Sequence, residues 1–218
     1  ALGKDVVAIR HRERLEREAR GAKAFAAAAA DYIEQYAMRR TRGWRDRARL
    51  LGLRPTGEGK ALQLIPKGLA DRWRDRPIAE IDGDDIHLIT DEARERGVPG
   101  LERRAEGPSE SQARAMFAGL SKLFGWLIEK RRLSANPCTG VHRPPALAAR
   151  DRVLADAELV KFWKAADAER KEFGALLKLL LLTGCRLNEV AGMRRDELSE
   201  DGATWTIPGE RTKNARAY

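Results

Sequence analysis

The sequence predicts a mainly α-helical chain in two parts. The first holds about four helices, and the second opens an α+β part with a small antiparallel sheet. Three observations carry this. Apolar residues recur at helical spacing in several separate stretches of the first 135 residues. A proline-rich stretch without periodicity, "NPCTGVHRPPALAARD" from Asn136 to Asp151, then interrupts the pattern. Beyond it, the Asp201-Gly202 turn signal is followed by alternation at Trp205 and Ile207, which reads as a hairpin.

The elements follow in order. Residues 1–21 read as a charged connector helix without an apolar face. Phe25, Ala29, Tyr32, Ile33 and Tyr36 share one helical face, and a second helix spans Trp44 to Leu53 with Trp44, Ala48 and Leu51 in register. "RPTGEGK" supplies the breakers that end it. A short helix is expected around Leu69 to Trp73. Asp82 is the expected N-cap of the next helix, with Asp84 and Asp85 at the positive end of its dipole and Ile86, Ile89 and Ala93 as its stripe. Ser109 to Gln112 has the form of a capping box ahead of Met116, Leu120, Leu123, Phe124, Leu127 and Ile128. After the linker a helix opens near Asp156, with Leu159, Phe162, Trp163 and Ala166 on one face, and a leucine-rich helix follows. Trp126 and Trp163 are expected in the core.

Composition narrows the function classes. The 218 residues are 43% hydrophobic and 6% aromatic, which suits a globular protein with a core. No apolar run approaches the roughly 20 residues needed to span a bilayer, and the first twenty residues are too charged for a secretory signal. Membrane association is therefore not expected, and the cytoplasm is the default location. With only Cys138 and Cys185, no disulfide framework is implied. Cys138 and His142 would make half a zinc site with no second pair, so neither a metal nor another cofactor is expected. Cys185 reads as a small buried residue rather than a reactive thiol.

Lys and Arg total 42 against 33 acids, a net charge of +9. The excess is concentrated. Residues 39–54 hold seven arginines (39, 40, 42, 45, 47, 49 and 54) against Asp46, and residues 111–149 hold six basic residues against Glu129. From Arg150 onward, thirteen basic residues nearly balance twelve acids. Two basic patches on separate helices of one small domain suit a surface that tracks the phosphates of double-stranded DNA, with Arg39, Arg40, Arg42, Arg45, Arg114 and Lys122 as the candidate contacts.

The candidate chemistry lies in "LLLLTGCRLNEVAGM", Leu179 to Met193. By default, Arg186 and Glu189 at i and i+3 are a helical ion pair. Gly184, two residues before Arg186, fits a sharp bend that would bring the arginine to a helix N-terminal region, where amides favour an anion. The leucines would anchor such a site rigidly. Lys213 in "GERTKNAR" is either a solvated lysine or a mobile cation carried to a phosphate by the turn.

These two stretches resemble the catalytic domain of tyrosine recombinases, in particular prophage and genomic-island integrases. Thr183, Gly184, Arg186 and Glu189 match the family's Thr-Gly-x-Arg-x-x-Glu, and Lys213 in "WTIPGERTKN" matches its hairpin lysine. The resemblance implies a SAM-like core-binding domain over residues 22–135, a linker over 136–152, and the N-terminal part of the catalytic domain over 153–218. Residues 1–21 would leave an arm-binding domain that is otherwise absent. It also implies a covalent 3′-phosphotyrosyl intermediate at a DNA attachment site, with Arg186 clamping the phosphate, Lys213 as general acid and Glu189 in support. The complete protein would work as a tetramer on DNA.

The family's His-x-x-Arg motif, later His or Trp, and tyrosine nucleophile come after the hairpin lysine and are expected beyond Tyr218. Tyr218 stands at the start of the third strand, where related integrases often carry His. The resemblance thus implies a DNA-binding, inactive fragment. Ala155 also departs from the Thr or Ser usual at that helix cap. A helix-turn-helix regulator, with Gly184 in the turn and Val190 in the recognition helix, is the rival reading, although Leu180 is large for the close helix crossing such a motif needs. A purely architectural DNA-binding protein is the third.

Overall fold

A computed structural model describes residues 24–57, 61–103, 106–146, 151–212 and 216–218. The expected connector helix over 1–21, Lys213 and part of the linker lie outside the described residues. The chain is mainly helical with a small two-stranded antiparallel sheet. It divides into two compact units, the division falling between residues 148 and 149.

In the first unit, helix α1 (Phe25–Tyr32) runs through a π-helical turn (Ile33–Ala37) into a last helical turn (Met38–Arg40). An unbroken helix from Ile33 would carry position 40, two turns on, back to the buried face. The extra residue of the π turn shifts the frame, so Ala37 is buried while Arg39 and Arg40 are exposed. The Thr41 hydroxyl donates to the Ala37 carbonyl at 2.9 Å and closes this end.

Helix α2 (Trp44–Leu50) is shorter than its apolar register suggested. The chain turns at Gly52, whose φ of +82° admits glycine and whose missing Cβ leaves room for the Leu69 and Ala70 amides. Strand β1 (Leu53–Pro55) then pairs antiparallel with β2 (Leu62–Leu64), Leu53 opposite Leu64. The sequence places the small sheet in the second part, but the regular ladder lies here, on either side of "TGEGK". Those breakers connect two strands rather than merely ending a helix. Helix α3 (Leu69–Arg72) and a 3-10 turn (Ile78–Glu80) lead to α4 (Gly83–Glu95).

Asp82 caps α4 as expected, accepting from the Asp84 and Asp85 amides at 3.0 and 3.1 Å while Asp85 accepts from the Asp82 amide at 3.1 Å. Helix α5 (Glu110–Glu129) is the spine of the unit. Only half of its expected capping box forms: the Ser109 hydroxyl accepts from the Gln112 amide at 3.4 Å, and Gln112 Oε1 has no partner. The core gathers Phe25, Tyr32, Leu51, Ile86, Met116, Leu120, Leu123, Phe124 and Leu127, all fully buried. Tyr32 packs on Trp126 with ring centres 5.6 Å apart, and Phe25 meets Trp73 edge-on at 5.0 Å.

The beginning of the expected linker is not free chain. Cys138 is buried in this core, the Asn136 side chain donates to the Ser121 carbonyl at 3.1 Å, and Arg114 donates to the Pro144 carbonyl at 2.8 Å. Proline and glycine removed its periodicity without keeping it off the protein.

In the second unit, α6 (Asp156–Ala168) packs on α7 (Lys171–Thr183). The contact is close enough that a Cβ at Gly174 would stand 2.2 Å from the Ala166 carbonyl oxygen. Of the apolar positions expected on α6, only Ala166 is buried. Trp163 is half-buried rather than core, with Lys178 Nζ 4.8 Å from its ring centre. After helix α8 (Leu187–Ala191) and a 3-10 turn (Arg195–Glu197), the expected hairpin narrows to a bridge between Leu198 and Trp205, closed at Gly202 (φ +67°). Ile207 and Tyr218 then exchange backbone hydrogen bonds of 2.8 and 3.1 Å.

Candidate functional site

Arg186 owes its position to the end of α7. Gly184 adopts the left-handed conformation (φ +63°), and its amide donates to the Leu180 carbonyl at 3.0 Å, stopping the helix. The Thr183 hydroxyl donates to the Leu179 carbonyl at 2.6 Å and accepts from the Cys185 amide at 3.3 Å, fixing the two-residue turn. Arg186 is then the N-cap of α8.

Glu189, one turn on, reaches back with both oxygens. Oε2 accepts from the Arg186 amide at 2.9 Å and Oε1 from Nη1 of the same residue at 2.8 Å. These bonds, the backbone one first, hold the Glu189 carboxyl below its usual range, and the charges of Arg186 and Arg211 add to the effect. The carboxylate is 8% exposed while the Arg186 side chain is 60% exposed. Glu189 is therefore a support and Arg186 a presented cation, with guanidinium donors beyond Nη1 that meet no protein acceptor among the described residues. The helix terminus itself adds little. With five residues α8 has scarcely more than one turn, and Glu189 occupies the amide of its N-cap, Arg186.

Arg186 lines a cavity of about 530 Å³ together with Thr183, Cys185, Ile207, Arg216 and Tyr218. Lys213 lies outside the described residues, but Thr212 and Arg216 on either side of that segment are held. Thr212 is buried, and its hydroxyl accepts from the Arg216 amide at 3.2 Å and lies 2.7 Å from the Arg216 carbonyl oxygen.

A buried brace supports this arrangement from behind. Glu197, its side chain only 3% exposed, pairs with Arg211 and accepts from Trp205 Nε1 at 3.0 Å and from the Arg194 amide at 3.2 Å. The Arg211 and Trp205 bonds lower its pKa to about 2. Arg211 also donates Nη2 to the Glu189 carbonyl oxygen at 2.6 Å, tying the hairpin to the Arg186 helix.

The predicted basic surface of the first unit divides. Arg39, Arg40, Arg42, Arg45 and Lys122 are exposed. Arg40 and Arg45 lie over the Tyr36 and Trp44 rings, at 5.7 and 4.7 Å from the ring centres, which orders their stems without neutralising them. Arg47, two residues after Arg45, instead donates to the Tyr32 hydroxyl at 2.9 Å. Arg114 is half-buried and bound to the Pro144 carbonyl, so it holds the following segment as well as carrying charge. Among the described residues no group of three or more His, Cys, Asp or Glu could hold a metal ion, and no helix is long and apolar enough to cross a membrane.

Over 106 residues, the chain is 27% identical to tyrosine recombinase XerC of Xylella fastidiosa, in strain M23 and in strain Temecula1 alike. The chain is similar to tyrosine recombinases. The match covers 48% of this chain and 36% of each XerC, so the chain spans about a third of the length of those recombinases. No protein-family model matches, and no solved structure matches.

Sequence reasoning found Arg186 and Glu189 but missed Glu197, Arg211, Thr212 and Arg216. One signal was available for Glu197. An acid three residues after a helix N-cap recurs in "ADAE" at Glu158, "RLNE" at Glu189 and "RRDE" at Glu197, and each reaches back to the capping amide. Arg211, Thr212 and Arg216 carry no such spacing, because their partners come from elsewhere in the fold.

Proposed function

We propose that the chain is part of a site-specific DNA recombinase of the tyrosine type, the integrase of a mobile element. Residues 22–135 form its DNA-clasping core-binding domain, residues 136–152 the linker, and residues 153–218 the N-terminal part of the catalytic domain. The observation that carries this reading is the Arg186–Glu189 pair: a buried carboxylate holds an exposed guanidinium at the wall of a cavity, with donors to spare. The XerC similarity supports the same reaction class.

Strand exchange through a phosphotyrosine asks for three things. A cation must meet the non-bridging oxygens as charge builds on them, a tyrosine oxygen must attack phosphorus, and an acid must protonate the departing 5′-oxygen. Arg186 serves the first, since a planar guanidinium can donate twice to one phosphate. Glu189 fixes its position, and Lys213 supplies the leaving-group proton. In this reading the tyrosine nucleophile, a His-x-x-Arg pair and a later His or Trp are not among the 218 residues, which therefore bind attachment-site DNA without joining to it. The complete enzyme acts as a tetramer on DNA in the cytoplasm.

A helix-turn-helix regulator is the weaker reading, because a recognition helix must reach base edges over several residues and α8 has five. The test is a nicked duplex that traps covalent protein–DNA product. The 218 residues are expected to shift the duplex without becoming denaturant-stable. A covalent product contradicts the missing nucleophile and makes Tyr218, which lines the same cavity, the first suspect. Failure to bind duplex at all contradicts the recombinase reading. In the complete enzyme, Arg186→Ala should abolish cleavage while largely sparing affinity, because the clamp acts mainly on charge that develops in the transition state.

A further inference from the structure

We propose that Arg216 is a second ligand of the same phosphodiester, placed in the Arg186 cavity by the Thr212 hydroxyl. This rests on the reading of that cavity as a DNA phosphate site.

Arg216 lines that cavity, its backbone is fixed, and its guanidinium has no hydrogen-bond or ion-pair partner among the described residues. Among the described arginines of the second unit, Arg170 and Arg195 likewise show none, but neither lines this cavity, and the others are paired. Arg152 pairs with Glu158, Arg194 with Asp196, and Arg211 with Glu197. A basic side chain left unpaired beside another arginine is kept there at a repulsive cost unless an anion joins them.

Arg216 is exposed, but its backbone is held. Thr212 bonds both backbone groups of residue 216, and the same hydroxyl lies 3.0 Å from the Gly209 carbonyl oxygen. The 3-10 turn Gly209–Arg211 is in turn anchored by Arg211 to Glu197 and to the Glu189 carbonyl. Arg216 and Arg186 thus stand on one connected framework.

Charge selects the ligand class. Two guanidiniums and one carboxylate line the cavity, and the carboxylate is committed to Arg186. The surplus is one positive charge with donors on two residues. A phosphodiester carries one negative charge and two equivalent non-bridging oxygens, so each arginine can take one. A free phosphate monoanion or dianion shares the oxygen chemistry, and the test must separate the two.

Cys185 supplies the reporter, since it lies in the cavity wall and is half-buried. The other thiol, Cys138, is buried and its pKa is pushed up to about 12, so it stays unreactive near neutral pH. The experiment follows alkylation of Cys185 by uncharged iodoacetamide in the 218-residue chain, against increasing duplex DNA or inorganic phosphate. Duplex should slow the alkylation.

Arg216→Ala should raise the duplex concentration for half-protection about tenfold, the scale of a charged hydrogen bond lost. Arg216→Lys should recover part of it. Thr212→Val should match Arg216→Ala with the arginine still present, and Thr212→Ser should behave as wild type. Unprotected alkylation rates equal to wild type show that the variants keep the fold of the site. Wild-type protection in Arg216→Ala, with duplex protecting Cys185 in the wild-type chain, overturns the role of Arg216 and leaves the phosphate cavity standing. No protection by duplex in the wild-type chain overturns the cavity reading and this proposal together. Protection by inorganic phosphate but not by duplex overturns the diester assignment.

Discussion

The Glu197 carboxylate carries more of the second unit than its place between two short elements suggests. It collects the Arg211 guanidinium, the Trp205 indole N–H and the Arg194 amide, and Arg211 passes the connection on to the Glu189 carbonyl. Removing either partner leaves the other buried without its counter-charge, the expensive way to break such a pair. Its folded pKa of about 2 lies below the ordinary value of 4.5. The stability it contributes is therefore complete above pH 4.5 and is lost as the pH falls through that value toward 2. Hydrogen exchange should show the Thr206 amide, which donates to the Glu197 carbonyl at 2.8 Å, losing protection across that window. In Glu197→Gln, protection should be lower at neutral pH and should change less between pH 4.5 and 2. An unchanged acid profile in that variant would assign the transition to another carboxylate, with Glu189, also lowered, as the next to test.

Among the elements, the α6–α7 pair has the narrowest tolerance. Gly174 is buried and lies against backbone, not against the end of a flexible side chain, so a methyl group there cannot be absorbed by a rotamer change. Gly174→Ala should cost about 1–3 kcal/mol in chemical denaturation of the second unit, against the small gain that alanine normally brings to a helix interior. A stabilised variant would mean that α6 and α7 are not held this closely. This glycine gave no signal in the sequence because its reason lies in a partner helix.

Capping was legible for the opposite reason. Asp82 and Asp85 make the whole of their motif within four residues, and Gly184 ends its helix by local backbone geometry. The π turn at Ile33–Ala37 and the strands flanking "TGEGK" were not legible. The first alters phase without changing residue types, and the second depends on pairing across a connection whose composition reads only as a break. The leucines of α7 misled in a third way. Four in a row suggest a fully buried helix, yet Leu182 is 70% exposed, because among the described residues of this unit α6 and the turn into α8 cover only part of it.

Over the whole molecule, the balance of charge is the most informative quantity the sequence holds. The net +9 resides almost wholly before residue 150, and four of the arginines expected to meet DNA stand exposed on consecutive turns at the end of the π-bearing helix and the start of α2. The second unit is nearly neutral, so in the proposed reading its part in binding is local, through the Arg186 cavity. Replacing Arg39, Arg40 and Arg45 with alanine should weaken duplex binding without regard to sequence, each lost phosphate contact lowering the salt slope by about 0.9. Arg186→Ala should alter that slope by no more than one contact. The central claim, that this is a protein that grips the DNA backbone, is tested most directly by measuring duplex affinity against salt concentration with the 218-residue chain. The account predicts a linear fall of log affinity with log salt, with a slope steep enough for several phosphates and reduced in the triple arginine variant. Affinity that is independent of ionic strength, or a slope that the triple variant leaves unchanged, would contradict it.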